Sequence, residues 1–225
     1  MMIGDANKMN RIISEIINKK IIVIVRGLCK DKLLDTARAM YDGGIRLIEV
    51  TYDRSGKTSD ETVAENIKML REYFADSMYI GAGTVTDERK VELTYNAGGQ
   101  FIISPDVNTK VISKTKSLGM VSIPGAMTPT EICTANDSGA DFVKVFPVTN
   151  MGVEYIRAIR APLSDIRLLA VGGINENNMA DYLAAGVCGF GIGSNIVNTA
   201  LIESDNYTAI TNLAEKYVSS LSGVV

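Results

Sequence analysis

Histidine is missing from all 225 residues. That excludes serine–histidine–aspartate triads, cysteine–histidine pairs and histidine-ligated metal sites in one step. Proton transfer must fall to carboxylates, lysine, tyrosine, cysteine, hydroxyls or water. Tryptophan is absent too, and cysteine is scarce. Cys29, Cys133 and Cys188 are odd in number and widely spaced, which suits neither a disulfide framework nor a zinc site. Reduced thiols in the cytoplasm are the expected state. Long hydrophobic runs are lacking: the early stretch Ile21–Val25 is far too short to span a bilayer, and Met1–Asn10 has no signal-peptide core. An excess of positive charge is lacking as well. Lys and Arg number 23 against 26 Asp and Glu, so no global field favours nucleic acid or anionic membranes. An anionic substrate must be captured by local charges.

Hydrophobic residues are plentiful at 46%, enough for a large core. Eight short apolar runs recur at intervals fit for a βα unit: Ile21–Val25, Leu47–Val50, Met78–Ile80, Phe101–Ile103, Val121–Ile123, Phe142–Val145, Leu168–Val171 and Gly189–Ile192. The segments between them have helical periodicity. Asp87 precedes one as an N-cap, Thr128-Pro129-Thr130-Glu131 reads as a capping box, and Asn175 is expected to open another. Glycines at 44, 98, 139 and 186 stop helices just before strands. Eight βα units predict a TIM (β/α)8 barrel, with a leading helix over about 7–19 covering its floor. A doubly wound sheet is the alternative, but no Gly-x-Gly-x-x-Gly follows the first strand. No linker divides the chain, so residues 1–225 read as one domain.

Barrel chemistry is built at the C-terminal ends of the strands. Lys144 lies among Phe142, Val143, Val145 and Phe146, whereas the other 12 of 13 lysines sit in polar or helical contexts. Desolvation lowers a lysine pKa, and a neutral amine attacks a ketone to form an imine. The plain alternative is a lysine paired with a buried carboxylate or snorkelling to the surface. Glu49, inside Leu47-Ile48-Glu49-Val50-Thr51, is either a general acid–base or a salt-bridge partner of Lys144 or Arg26. Arg26 ends the first run and suits a substrate carboxylate, though a solvated loop arginine fits the same pattern. Gly172-Gly173 and Gly193-Ser194, after the last two strands, fit a phosphate cradle with a short helix starting near Ser194. Singly, each means only a tight turn.

Taken in order, Glu49-Val50-Thr51, Gly81-Ala82-Gly83-Thr84-Val85, Ile103-Ser104-Pro105, Pro124-Gly125, Val143-Lys144-Val145-Phe146-Pro147, Gly172-Gly173-Ile174 and Gly191-Ile192-Gly193-Ser194 resemble the bacterial KDPG/KHG aldolase family. These enzymes cleave 2-keto-3-deoxy-6-phosphogluconate and 4-hydroxy-2-oxoglutarate. The resemblance runs from about 21 to 195. It implies a homotrimeric TIM barrel without metal or other cofactor, acting on a small anionic keto acid. Its imine-forming lysine falls on Lys144, its acid–base glutamate on Glu49, its pyruvyl-binding threonine on Thr84, and its phosphate loops on Gly172, Gly173, Gly193 and Ser194. The sequence departs from the family at Asp53, where many members have a carboxylate-binding arginine. Arg26 is the expected substitute, with Arg54 in reserve. Two rivals remain: a phosphosugar epimerase or isomerase barrel, and a phosphometabolite-binding barrel without catalysis.

Overall fold

The computed structural model describes residues 3–222, with side chains from residue 7 onward; residues 1–2 and 223–225 of the expected 1–225 domain lie outside it. Helix α1 (Ile3–Lys19) leads into strand β1 (Ile21–Val25). Strands and helices then alternate: α2 (Lys30–Asp42), β2 (Leu47–Thr51), α3 (Asp60–Phe74), β3 (Tyr79–Gly83), α4 (Glu88–Asn96), β4 (Phe101–Ile103), α5 (Thr109–Ser117), β5 (Val121–Ile123) and β6 (Gly125–Ala126). The second half continues with α6 (Pro129–Asp137), β7 (Val143–Val145), α7 (Gly152–Arg160), β8 (Leu168–Val171), α8 (Met179–Ala184), β9 (Gly189–Ile192), α9 (Thr199–Glu203) and α10 (Tyr207–Ser219). Among the described residues no helix is long and apolar enough to cross a membrane.

All pairings are parallel, in the order β5-β4-β3-β2-β1-β9-β8-β7-β6. The two outermost segments are one strand interrupted by Pro124. Its first half pairs with β4 and its second half with β7, so the sheet closes into the expected eight-stranded barrel. The amide of Lys144 donates to Pro124 O at 2.8 Å across this closing ladder. Carrying the pairing offsets once round the ring from Ile24 returns to the first strand about eight residues lower, the shear of a TIM barrel.

That shear stacks inward side chains in layers drawn from alternate strands. The lower layers hold Leu47, Phe101 and Phe142, then Ile22, Ile123 and Leu169, and all are buried. Ile12 and Ile16 of α1 pack beneath them and seal the floor, as the helical periodicity predicts. A second apolar layer, from Val23, Ile48, Ile80, Val143, Ala170 and their neighbours, packs the outer strand face against the helices.

Local signals explain most boundaries. Asp87 caps α4 by accepting from Lys90 N, and Thr128 with Glu131 forms the capping box of α6. Gly44, Gly98, Gly139 and Gly186 are all left-handed. Strand β2 runs one residue further than expected, to Thr51, β7 starts one later, at Val143, and two larger differences need correction. Strand β3 extends three residues past Ile80 through Gly81-Ala82-Gly83, despite the poor strand propensity of glycine. The reason is packing: a Cβ on Gly81 would sit 2.3 Å from the Phe101 ring. Asn175 does not open α8. It is held in a turn with Asn178, whose Oδ1 accepts from Asn175 N at 2.8 Å, and Asn178 is the cap position.

Candidate active site

Continuing up the barrel, the register places Glu49, Ile103, Lys144 and Gly191 in one inward layer. The layer above contains Ile24, Gly83, Gly125 and Val171, and the next contains Thr51, Pro105, Phe146 and Gly193. A large side chain is thus missing at Gly191, Gly83, Gly125 and Gly193. Neighbouring groups take up the room at three of them: Val171 and Ile24 at Gly191, the Glu49 carboxylate at Gly83, and the Pro105 backbone at Gly125.

Lys144 is 8% exposed and Glu49 4%. Among the described residues, no ion pair within 4.0 Å joins Lys144 to any carboxylate. None joins Glu49 to Arg26 at that distance either, although the three charges influence one another. Burial is the largest influence on each. It pushes the Glu49 carboxyl up to about 7, against the opposing pull of the Lys144 and Arg26 charges. It pushes the Lys144 ammonium down; Arg26 adds to that, while Glu49 and Asp106 oppose it. Lys144 Nζ also lies 5.0 Å from the centre of the Phe146 ring. Phe142 goes the other way, into the sealed core.

Gly83 sets the position of Glu49. A Cβ at Gly83 would come within 2.1 Å of Glu49 Oε1 and 3.0 Å of Thr51 Cγ2. The carboxylate occupies the room that the glycine leaves. Gly83→Ala is expected to cost about 1–3 kcal/mol by overpacking. It should also lower kcat by about 100-fold, the scale for misplacing a catalytic group by an ångström. Steady-state kinetics with a thermal melt checks this, and a kcat within twofold of wild type contradicts it.

Thr84, next in the chain, has φ +58°. The backbone on both sides is pinned, since Tyr52 N donates to Gly83 O and Val85 N donates to Ile103 O. A β-branched residue in the left-handed region costs on the order of 1–3 kcal/mol and is held there only by its surroundings. Arg26 is exposed at the end of β1 and borders a cavity of about 240 Å³ together with Thr51 and Asp53. Asp53 accepts from Ser55 N, Ser55 Oγ and Thr58 N at 2.8, 2.7 and 3.0 Å. The Ser55 bonds hold it below the usual carboxylate range. Asp53 is thus the anchor of its own loop, and Arg54 is exposed on that loop.

The glycine loops lie side by side over β8 and β9. Gly172 and Gly173 are left-handed, and a Cβ on Gly173 would come 3.1 Å from Thr149 Cα. Asn195 Nδ2 donates to Ile174 O at 2.9 Å and stitches the two loops together. The expected helix start at Ser194 is a correction: residues 193–197 form a turn closed onto Gly193 O, and α9 begins only at Thr199. Turn geometry prevails there because Ile196 N and Val197 N both donate to that one carbonyl. Gly83 and Thr149 escape single-strand patterns, since their contacts run between segments far apart in the chain.

A parallel barrel with a desolvated lysine and a desolvated carboxyl in one layer is equipped for imine chemistry. The family comparison agrees. The model for "KDPG and KHG aldolase" matches residues 12–213, and the chain belongs to that family. It is an aldolase, and so a lyase. The 2-dehydro-3-deoxy-6-phosphogalactonate aldolase of Escherichia coli K12 is 34% identical over 177 residues, which are 78% of this chain and 83% of the relative. A solved KDPGal structure superposes with a TM-score of 0.81 at 32% identity, covering 91% of this chain and 95% of its own. A KDPG aldolase from Legionella pneumophila, solved with pyruvate captured as a covalent carbinolamine, gives 0.79 at 28% identity, with 88% and 93% covered. Neither the epimerase nor the non-catalytic barrel gains support from these matches.

Proposed function

We propose that this chain reversibly cleaves a phosphorylated 2-keto-4-hydroxy acid through an imine on Lys144. The substrate class is that of 2-keto-3-deoxy-6-phosphogluconate or its C4 epimer, giving pyruvate and glyceraldehyde 3-phosphate; 4-hydroxy-2-oxoglutarate, giving glyoxylate, is a second candidate. The observation that carries this reading is Lys144 itself, buried and unpaired in one layer with Glu49.

The chemistry follows from these groups. Neutral Lys144 Nζ attacks the C2 ketone, and the Glu49 carboxyl protonates the departing hydroxyl, so that loss of water leaves a protonated imine and a Glu49 carboxylate. The Glu49 carboxylate takes the C4 hydroxyl proton. The C3–C4 bonding pair moves into the imine, an enamine forms and the aldehyde departs. The Glu49 carboxyl returns its proton to C3, and water hydrolyses the imine to free pyruvate and Lys144. A carboxyl titrating at about 7 is suited to this two-way transfer. Arg26 and Thr84 are assigned to the substrate carboxylate. Gly172, Gly173, Gly193 and Ser194 are assigned to the phosphate through backbone N–H groups. The family resemblance adds a homotrimer, which light scattering tests.

Incubation with pyruvate and borohydride, followed by peptide mass mapping, tests the imine. The expected result is one reduced pyruvyl adduct on Lys144. No adduct, or one on another lysine, overturns the mechanism.

A further inference from the structure

We propose that the Thr51 hydroxyl is a specificity-determining group that binds the C4 oxygen of the substrate and so selects between C4 epimers. This rests on the aldolase reading above. Thr51 is 4% exposed, and its Oγ1 has no hydrogen-bond partner. Buried hydroxyls are nearly always satisfied; among the described residues Thr36, Thr51 and Tyr207 carry orphans, and of these Thr51 alone stands on a barrel strand. Its place in the barrel says which partner. Leu47, Glu49 and Thr51 share the inward face of β2, and Thr51 lies one side-chain repeat above Glu49 toward the open end. In register it stands beside Gly83.

The local geometry supports a role for the hydroxyl beside the carboxylate. The point above Gly83 that lies 2.1 Å from Glu49 Oε1 is also 3.0 Å from Thr51 Cγ2. The Thr51 methyl thus lies against Gly83, and its hydroxyl has nothing to hold it. A 120° turn about χ1 carries the hydroxyl into the place of the methyl, and no existing hydrogen bond opposes that turn. The turned O–H donates to the C4 oxygen as Glu49 removes its proton, when negative charge develops there. The C4 oxygen of one epimer meets both groups. In the other epimer it points away from Thr51.

The test uses Thr51→Val, which keeps the shape and removes the hydroxyl, and Thr51→Ser, which keeps the hydroxyl. Wild type and both variants are measured for pyruvate–borohydride trapping, thermal stability, and kcat and KM on both C4 epimers of the phosphorylated 2-keto-3-deoxy acid. Thr51→Val is expected to trap pyruvate as wild type does, because pyruvate has no C4, and to melt no lower. Its kcat on the preferred epimer should fall about 10- to 100-fold, with the epimer ratio moving toward unity. Thr51→Ser should recover most of both. A trapping-competent Thr51→Val with wild-type kcat and epimer ratio overturns this proposal alone. A Thr51→Val that loses trapping in parallel with cleavage overturns it too, by placing the hydroxyl at the imine or in the fold. Wild type that forms no adduct fails the aldolase reading first.

Discussion

Lys144→Met should remove roughly 10⁴-fold or more of kcat/KM, the scale for deleting a covalent nucleophile, while raising the melting temperature. The two effects have one cause. Burial that lowers the Lys144 pKa makes the amine nucleophilic and makes the folded state bear a desolvated charge. An unfolded lysine binds its proton below about 10.5, and the folded one does so only at lower pH. The wild type therefore loses stability as pH falls from that value through the folded pKa. Methionine has no such dependence and fills a similar volume. The gap in stability between variant and wild type should widen from pH 10.5 downward and then level off. Parallel pH series of thermal melts and turnover measure both quantities. A variant that melts lower than wild type at neutral pH would show that Lys144 supports the fold, contrary to the desolvation argument.

Glu49→Gln is the second large effect, and its sign is opposite in pH. The carboxyl titrates at about 7 in the fold against 4.5 ordinarily. Its contribution to stability is full below pH 4.5 and is lost as pH rises to about 7. The amide variant should match wild type at pH 4 and exceed it above pH 7, by on the order of 3 kcal/mol at most. Because Glu49 and Lys144 interact, the two single gains should not add in the double variant. Turnover should fall about 10²- to 10⁴-fold, the range for a lost general acid–base. The acid limb of the wild-type rate profile, centred near pH 7, should vanish with it. Pyruvate trapping on Lys144 should persist at a reduced rate. A limb near 7 that survives in Glu49→Gln would assign it to another group.

Much of the barrel is legible in the sequence because each strand advertises itself locally. Ile21–Val25, Phe101–Ile103, Val121–Ile123, Leu168–Val171 and Gly189–Ile192 are apolar or β-branched runs whose observed bounds equal the expected ones. Lys144 is legible for a related reason: a charge inside an apolar run conflicts with its surroundings, and such conflicts collect at functional sites. Glu49 follows from the same logic. Relations between strands are not legible. That Gly83 makes room for the Glu49 carboxylate, or that Thr51 stands beside Gly83 on the inward face, depends on register and shear. Hydrophobic periodicity fixes which face a side chain takes and says nothing of what it meets there. Loops fail differently. Asn175 and Ser194 stand where helices would plausibly start, yet side-chain and turn hydrogen bonds claim their backbones first. The Asp53 departure is resolved only in three dimensions, where its carboxylate is consumed by Ser55 and Thr58.

The strand broken at Pro124 has one more consequence. A parallel sheet left open would present two rows of unpaired amides and carbonyls, each a template for another chain. Here the same stretch of backbone supplies both ends of the sheet, giving its first half to β4 and its second half to β7. The folded protein therefore offers no sheet edge along this seam for intermolecular strand addition. Lys144 lies on the ladder that completes this protection. Any event that frees the strand carrying Lys144 also uncovers an adhesive edge, so on the proposed mechanism loss of activity and onset of aggregation are tied to the same opening.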